Sequence, residues 1–282
     1  MQGKIGSLSF VNKELEKNNL QAKKKFGQNF LTDQNILTSI VDVACATKED
    51  AVIEIGPGLG ALTEHLCSVC GFVLAYEIDK DLIPLLEKNL ANFNNFKVIN
   101  EDILKVDINK DIDELLSDYK NIYVVSNLPY YITTPIILKL IDSGLKFDKI
   151  VMMVQKEVWD RFSTVPGSRE YGSITVLLNY FYKVKKEFLV SRKQFVPQPN
   201  VDSVIVSFTE KEDKGSLIDF HFFEQLVRDS FQYKRKNIRN NLKKYDLKVV
   251  ESVLNKYGYD LNVRAEALDV NIFIELANEL MK

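Results

Sequence analysis

The sequence predicts an α/β fold: a mostly parallel sheet with helices on both faces and an antiparallel edge, followed by a small all-α C-terminal domain. Three observations predict it. Between residues 51 and 154, short apolar runs rich in β-branched residues alternate with amphipathic stretches, the rhythm of parallel strands joined by crossover helices. Beyond residue 182 two strand-like runs follow each other without a helical pattern between them, which suits an antiparallel edge. After Gly215-Ser216 the pattern is helical to the end.

The elements follow in order. Residues 1–20 are polar and weakly periodic and predict a frayed or weakly helical arm. Ile36 to Ala46 has helical spacing, with Asp33 as its cap. Strands are expected at Ala51–Ile55, Phe72–Ile78, Phe96–Asn100, Ile122–Val125 and Lys149–Val154. Between and after them, helices are expected at Leu59–Cys70, Lys80–Leu90, Ile112–Leu116 and Thr134–Ser143. Ile174–Tyr182 reads as a further helix, and Lys183–Val190 and Val201–Thr209 as the edge strands. The charged run Glu210 to Ser216 reads as a linker. This gives an arm at 1–22, a main domain at 23–212 and a helical domain at 213–282.

The chain has 282 residues, enough for one large core and a smaller one, and is 46% hydrophobic and 27% charged. No apolar run approaches the roughly 18–20 residues that span a bilayer, and Met1 to Phe10 lacks the apolar stretch of a secretory signal. Cys67 and Cys70 form one C-x-x-C, but no second pair exists and there are only two histidines. A metal site is therefore not expected, and a reducing cytoplasm is. The net charge of −2 conceals local blocks. Arg228 to Lys248 holds eight basic residues against two acidic ones, and Lys183 to Lys193 holds five against one. Lys23, Lys24 and Lys25 form a third cluster. Such patches suit a polyanionic partner, although each also suits a solvated face.

The chemistry gathers at the predicted strand ends. Asn127-Leu128-Pro129-Tyr130 follows the fourth strand. Asn127 can accept an N–H of a planar exocyclic amine. Pro129 holds Leu128 extended, so that the Leu128 carbonyl can accept the other, and Tyr130 offers a stacking ring. A Pro-containing turn is the alternative. Glu54-Ile55-Gly56-Pro57-Gly58-Leu59-Gly60 joins the first strand to its helix. Pro57 removes an N–H that a pyrophosphate cradle would use, whereas the helix N-terminus still favours a carboxylate. Glu77, 21 positions after Gly56, ends the second strand, and a carboxylate there can accept both hydroxyls of a ribose. Asp102 follows the third strand, where it can accept an adenine N6–H. Each acid alone also suits a capping role. Together they point to an adenosine-bearing ligand with an electrophilic group and no phosphate, which is S-adenosylmethionine.

With these residues assembled, the chain resembles the bacterial small-subunit (16S) rRNA adenine N6,N6-dimethyltransferase family from about Lys24 to its C-terminus. Four motifs carry the resemblance: Phe26-Gly27-Gln28-Asn29-Phe30-Leu31, the glycine loop, Asn127-Leu128-Pro129-Tyr130, and the run from Phe195 to Ser203 that contains Pro197, Pro199 and Asp202. The resemblance implies a Rossmann-like class I methyltransferase sheet. It implies that Gln28, Asn29, Leu31, Gly56 and Gly58 hold the methionine end of the donor. Glu77 and Ile78 are implied at the ribose, Asp102 and Ile103 at the adenine, and Asn127 between donor and target base. Tyr130 and Phe195 are expected to sandwich that base, with Asn127 and Leu128 as its amine acceptors. Lys23, Lys24, Lys25, Lys185, Lys186, Arg192, Lys193, Lys234, Arg235, Lys236 and Arg239 are expected to grip 16S rRNA in an immature small subunit, by a monomeric enzyme.

The nearest competing reading is the large-subunit (23S) rRNA dimethyltransferase of the macrolide-resistance type, which shares most motifs. Leu128 and the Pro-x-Pro-x-Val-Asp-Ser run favour the small-subunit family. From another class, a non-catalytic ribosome-assembly factor could use the same fold as a platform.

Overall fold

The computed structural model describes residues 4–18, 28–128 and 132–282. In chain order the elements are α1 (Leu8–Lys17), β1 (Phe30–Leu31), α2 (Gln34–Ala44), β2 (Ala51–Ile55), α3 (Ala61–Val69), β3 (Phe72–Tyr76), α4 (Ile83–Asn89) and β4 (Phe96–Ile99). Next come α5 (Ile108–Leu115), β5 (Ile122–Asn127), α6 (Thr133–Asp142), β6 (Lys149–Gln155), α7 (Lys156–Phe162), α8 (Ser173–Phe181) and β7 (Tyr182–Val190). The chain closes with β8 (Phe195–Val196), β9 (Ser203–Glu210), α9 (Phe220–Ser230), α10 (Ile238–Asn241), α11 (Leu247–Lys256) and α12 (Val270–Leu280).

Seven strands form one sheet in the order β4-β3-β2-β5-β6-β9-β7. From β4 to β6 every neighbouring pair is parallel, and β9 runs antiparallel to β6. The expected strands are all present, and so is the antiparallel edge. Strand β2 is buried at every position, which is why it reads in sequence as a continuous apolar run instead of an alternation. The sheet grows outward from β2 in one direction through β3 and β4, and in the other through β5 and β6. The order therefore reverses between β2 and β5, and a crevice opens at their C-terminal ends. The β2–β5 ladder ends at Glu54 opposite Val125. The next amide, that of Ile55, donates instead to the buried Ser126 hydroxyl at 3.1 Å.

Helices α2 and α3 cover part of the sheet. Leu37, Ile40 and Val41 of α2 and Leu66 of α3 share one buried cluster with Val52, Val125, Val151 and Ile205. Each such side chain contributes roughly 1.5–3 kcal/mol relative to exposure. The expected cap of α2 is in place, since the Asp33 carboxylate accepts from the Asn35 and Ile36 amides. Cys67 and Cys70 lie in the same cluster, and burial pushes both thiols well above their ordinary range, Cys70 to about 12. Neither has the accessible thiolate that redox chemistry needs.

Three departures from the sequence expectation bear on function. Residues 8–17, expected as a frayed or weakly helical arm, form a capped helix: the Ser7 hydroxyl accepts from Phe10 N, and Phe10, Val11 and Glu14 are buried. A short antiparallel ribbon pairs β1 with β8, matching Phe30 to Val196 and Leu31 to Phe195. Finally, the chain forms two compact units, residues 1–156 with 185–210 and residues 157–184 with 211–282. One of these divisions falls between residues 210 and 211. In addition, α8 and most of α7 belong to the helical unit, held there by tertiary packing that a linear reading does not see. Within that unit the Arg161 carbonyl accepts from the Thr175 hydroxyl, and the Tyr171, Phe231 and Phe273 rings pack in series.

Because Ser126 supplies the acceptor for a buried amide at the sheet's turning point, Ser126→Ala should lower stability by about 1–3 kcal/mol. Denaturant melts of the two proteins would check this, with an unchanged midpoint refuting it.

Candidate active site

A cavity of about 270 Å³ opens at the C-terminal ends of β2, β3 and β5 and reaches the segment after β4. Four strand ends contribute to it in turn. After β2 the chain turns through Gly56 to Gly60 before α3 begins. Gly58 adopts φ +60°, and a Cβ there would stand 3.3 Å from the Phe30 ring, so both conformation and space call for glycine. The turn is tied back to the sheet, because Gly56 N donates to the Tyr76 carbonyl at 2.9 Å.

After β3, Glu77 is buried and lines the cavity. Its carboxylate accepts from Gly58 N at 3.1 Å and from Asp79 N at 2.8 Å, one bond to each oxygen. Burial, then the nearby Asp79 charge, pushes Glu77 above the ordinary carboxylate range, against the pull of those amides. Each oxygen retains a lone pair for a hydroxyl donor. After β4, Asp102 accepts from Leu104 N at 3.0 Å through Oδ1, and Ile103 beside it is buried. At the end of β5, Asn127 lines the cavity, and its side-chain amide bonds to none of the described residues.

Two further segments complete the walls. Gln28, Asn29, Phe30 and Leu31 line one side. Gln28 Nε2 donates to Asp79 Oδ2 at 2.8 Å, which links this segment to the turn that Glu77 caps. Gly6 and Val11 line another. All ten residues assigned by sequence to the donor line this one cavity: Gln28, Asn29, Leu31, Gly56, Gly58, Glu77, Ile78, Asp102, Ile103 and Asn127. Leu128 lines it too.

The base sandwich fares differently. Tyr130 and Pro129 lie outside the described residues, as do Lys23, Lys24 and Lys25. Phe195 is 3% exposed, belongs to the main core cluster and is not among the cavity residues. It pairs with Leu31 in the β1–β8 ribbon, and its side chain is buried rather than open to the cavity. The basic candidates are exposed: Lys185, Lys186, Arg192 and Lys193 in the sheet-bearing unit, and Lys234, Arg235, Lys236 and Arg239 in the helical one. Lys185 pairs with Glu187 at 2.8 Å, and Arg192 Nη1 donates to the Asn200 carbonyl at 2.7 Å. Lys234, Arg235, Lys236 and Arg239 have no acidic partner among the described residues. Their turn is held from within, because the buried Asn241 amide donates to the carbonyls of Ser230 and Tyr233 and accepts from Tyr233 N.

Sequence reasoning missed Glu54. It sits in β2, is 1% exposed and lines the cavity, and its Oε2 has no hydrogen-bond partner among the described residues. Burial pushes its carboxyl up to about 8, opposed by the neighbouring Thr63 hydroxyl and reinforced by the Glu77 charge. The signal was present: an acid in an otherwise apolar buried strand must have a reason to be there.

Three comparisons bear on what such a cavity does. The family model for ribosomal RNA adenine dimethylase matches residues 19–282. A small-subunit ribosomal RNA methyltransferase A from Streptococcus gordonii is 45% identical over 98% of this chain and 98% of its own. The protein of the same name from Bacillus pumilus is 44% identical over 95% and 94%. Among solved structures, a dimethyladenosine transferase from Plasmodium falciparum superposes with a TM-score of 0.72 at 29% identity, covering 87% of this chain and 95% of that one. A 23S rRNA methyltransferase superposes with a TM-score of 0.62 at 25% identity, over 90% and 100%.

Glu54 also makes a pH prediction. Its folded pKa lies near 8 and its ordinary value is 4.5. Its neutral form is therefore the folded one, and its contribution to stability is full below pH 4.5 and lost as pH rises through about 8. The melting temperature of the wild type should fall relative to that of Glu54→Gln across this interval. Parallel melting curves against pH would refute the assignment.

Proposed function

The chain belongs to the ribosomal RNA adenine dimethylase family, and from that premise we propose that it dimethylates N6 of two adjacent adenosines near the 3′ end of 16S rRNA, using S-adenosylmethionine. The observation that carries this reading is the Asn127 amide in a cavity shared with the glycine loop, Glu77 and Asp102. Two relatives at 44–45% identity bear a small-subunit name, whereas the 23S enzyme matches at 25%; this favours the small-subunit target. The immature small subunit, acted on by a monomer in the cytoplasm, is the proposed setting; no helix among the described residues is long and apolar enough to cross a membrane.

The residues present fit the donor. The orphaned Glu54 Oε2 offers an acceptor to a cationic amine, the Gly58 cradle leaves room beside Phe30, and Glu77 keeps lone pairs for ribose hydroxyls. Asp102 Oδ2, left open by the bond that Oδ1 makes, suits the adenine N6–H. When bound, S-adenosylmethionine supplies a methyl group on a sulfonium that departs as a neutral thioether.

The chain's own residues orient the acceptor. Asn127 Oδ1 and the Leu128 carbonyl accept the two N6 hydrogens of an unpaired adenine. Drawing those hydrogens out of the ring plane takes the lone pair out of conjugation and concentrates it on nitrogen. The same acceptors stabilise the positive charge that develops there, and the proton passes to water. Largely apolar walls, including Ile55, Leu59 and Leu62, line the rest of the cavity and keep its local dielectric low. The exposed cations of both units bind phosphates.

Asn127→Ala should abolish methyl transfer, by about two orders of magnitude or more, while RNA binding stays within twofold or so. Labelled-methyl transfer and filter binding on the same preparations check both halves, and full activity in the variant would sink the mechanism. Replacing Lys234, Arg235 and Lys236 with alanine should reduce the salt slope of RNA binding by about one for each phosphate no longer neutralised. An unchanged slope would remove that turn from the RNA interface.

A further inference from the structure

One wall of the cavity comes from a segment that no motif announces. Gly6 and Val11, in residues 4–18 ahead of the sheet, both line it. Val11 is 1% exposed and packs against Leu59, Leu82 and Leu85. Ile5 and Phe10 pack against Leu86 and Leu90 of and beside α4. Gly6 has φ +81°, and a Cβ there would lie 2.5 Å from the Ala61 Cβ in the first turn of α3. The backbone of this segment thus presses directly on the helix that follows the glycine loop.

Polar ties are sparse by comparison. Gln34 Nε2 donates to the Ile5 carbonyl at 2.8 Å, and Lys88 reaches Glu14 at 3.8 Å. No strand pairing of residues 4–18 holds them to the sheet. The segment is therefore seated mainly by apolar packing, and two of the side chains it sits on, Leu59 and Leu82, also face the cavity. A molecule filling the cavity orders the same leucines that α1 needs. Seating α1 encloses the same molecule. Two events that share side chains in this way are thermodynamically coupled, each favouring the other.

We propose that α1 is part of the donor site: Gly6 and Val11 close it, and the seating of residues 4–18 and the binding of the donor stabilise each other. This rests on reading the cavity as the donor site. Dimethylation of each adenosine uses two donor molecules in succession, so spent donor must leave between transfers. The weakly tied α1 is the wall that can yield, because the strand ends and their turns are bonded into the sheet and Phe30 and Leu31 are paired in the β1–β8 ribbon.

Amide hydrogen exchange on the wild-type chain tests this, with S-adenosylhomocysteine as the probe. The probe should slow exchange about tenfold in residues 8–17 as well as in Gly56–Gly60. Protection of the glycine loop with α1 unchanged would overturn the inference and leave the donor reading standing. Protection at neither place would overturn the donor reading and this inference with it. As a second measurement, calorimetry on Val11→Asp should show weaker probe binding, about tenfold, with unaltered RNA binding at low salt. Wild-type affinity in that variant would also overturn the inference.

Discussion

The reversal of strand order between β2 and β5 is the constraint on which everything else depends. Crossover connections carry the chain from β2 outward through β3 and β4, and from β5 outward through β6. β3 and β4 lie on one side of β2 and β6 on the far side of β5, so a gap opens between the C-terminal ends of β2 and β5. That gap is where the glycine loop, Glu77, Asp102 and Asn127 meet, although they lie 73 positions apart in sequence from Glu54 to Asn127. The hydrogen bond from Ile55 N to Ser126 closes the last backbone group at this point without extending the ladder, so the strands stay together just as their successors separate.

Within the crevice, polar groups are satisfied only in part. Glu77 holds two backbone amides but has spare lone pairs, Glu54 has an orphaned oxygen, and Asn127 has an amide that none of the described residues meets. Leaving such groups unmatched in a buried place is unfavourable unless a ligand completes them. Each calls for a different chemistry: the Glu54 carboxyl, neutral on its own, for a cationic amine whose charge would draw off its proton, the Glu77 lone pairs for hydroxyls, and the Asn127 amide for a base. An adenosine bearing an amino acid matches the first two, and a second adenine matches the third. The apolar residues between them keep the local dielectric low, which strengthens the charge stabilisation that methyl transfer to nitrogen requires.

The sheet and the donor residues are legible in sequence because the signals are local. A doubly buried parallel strand is an apolar run, and its functional residues sit at its end. What escapes depends on distant partners. Helix α1 buries only Phe10, Val11 and Glu14, too few for a convincing period, and its seat is formed by Leu59 and the α4 region. Phe195 reads like an exposed platform because its burial requires Leu31, 164 positions earlier, as a ribbon partner. Helix α8 reads correctly as a helix, yet its membership of the helical unit follows from tertiary packing alone. Glu54 is visible in sequence, but its place beside the glycine loop masks what a buried acid implies.

On this reading the cavity delivers methyl groups to the N6 nitrogens of adjacent small-subunit adenosines. Mass mapping of rRNA after incubating the protein and S-adenosylmethionine with unmodified small subunits tests it most directly. The expected product is two neighbouring N6,N6-dimethyladenosines near the 3′ end of 16S rRNA. Methylation confined to large-subunit rRNA, or none on either subunit, would contradict it.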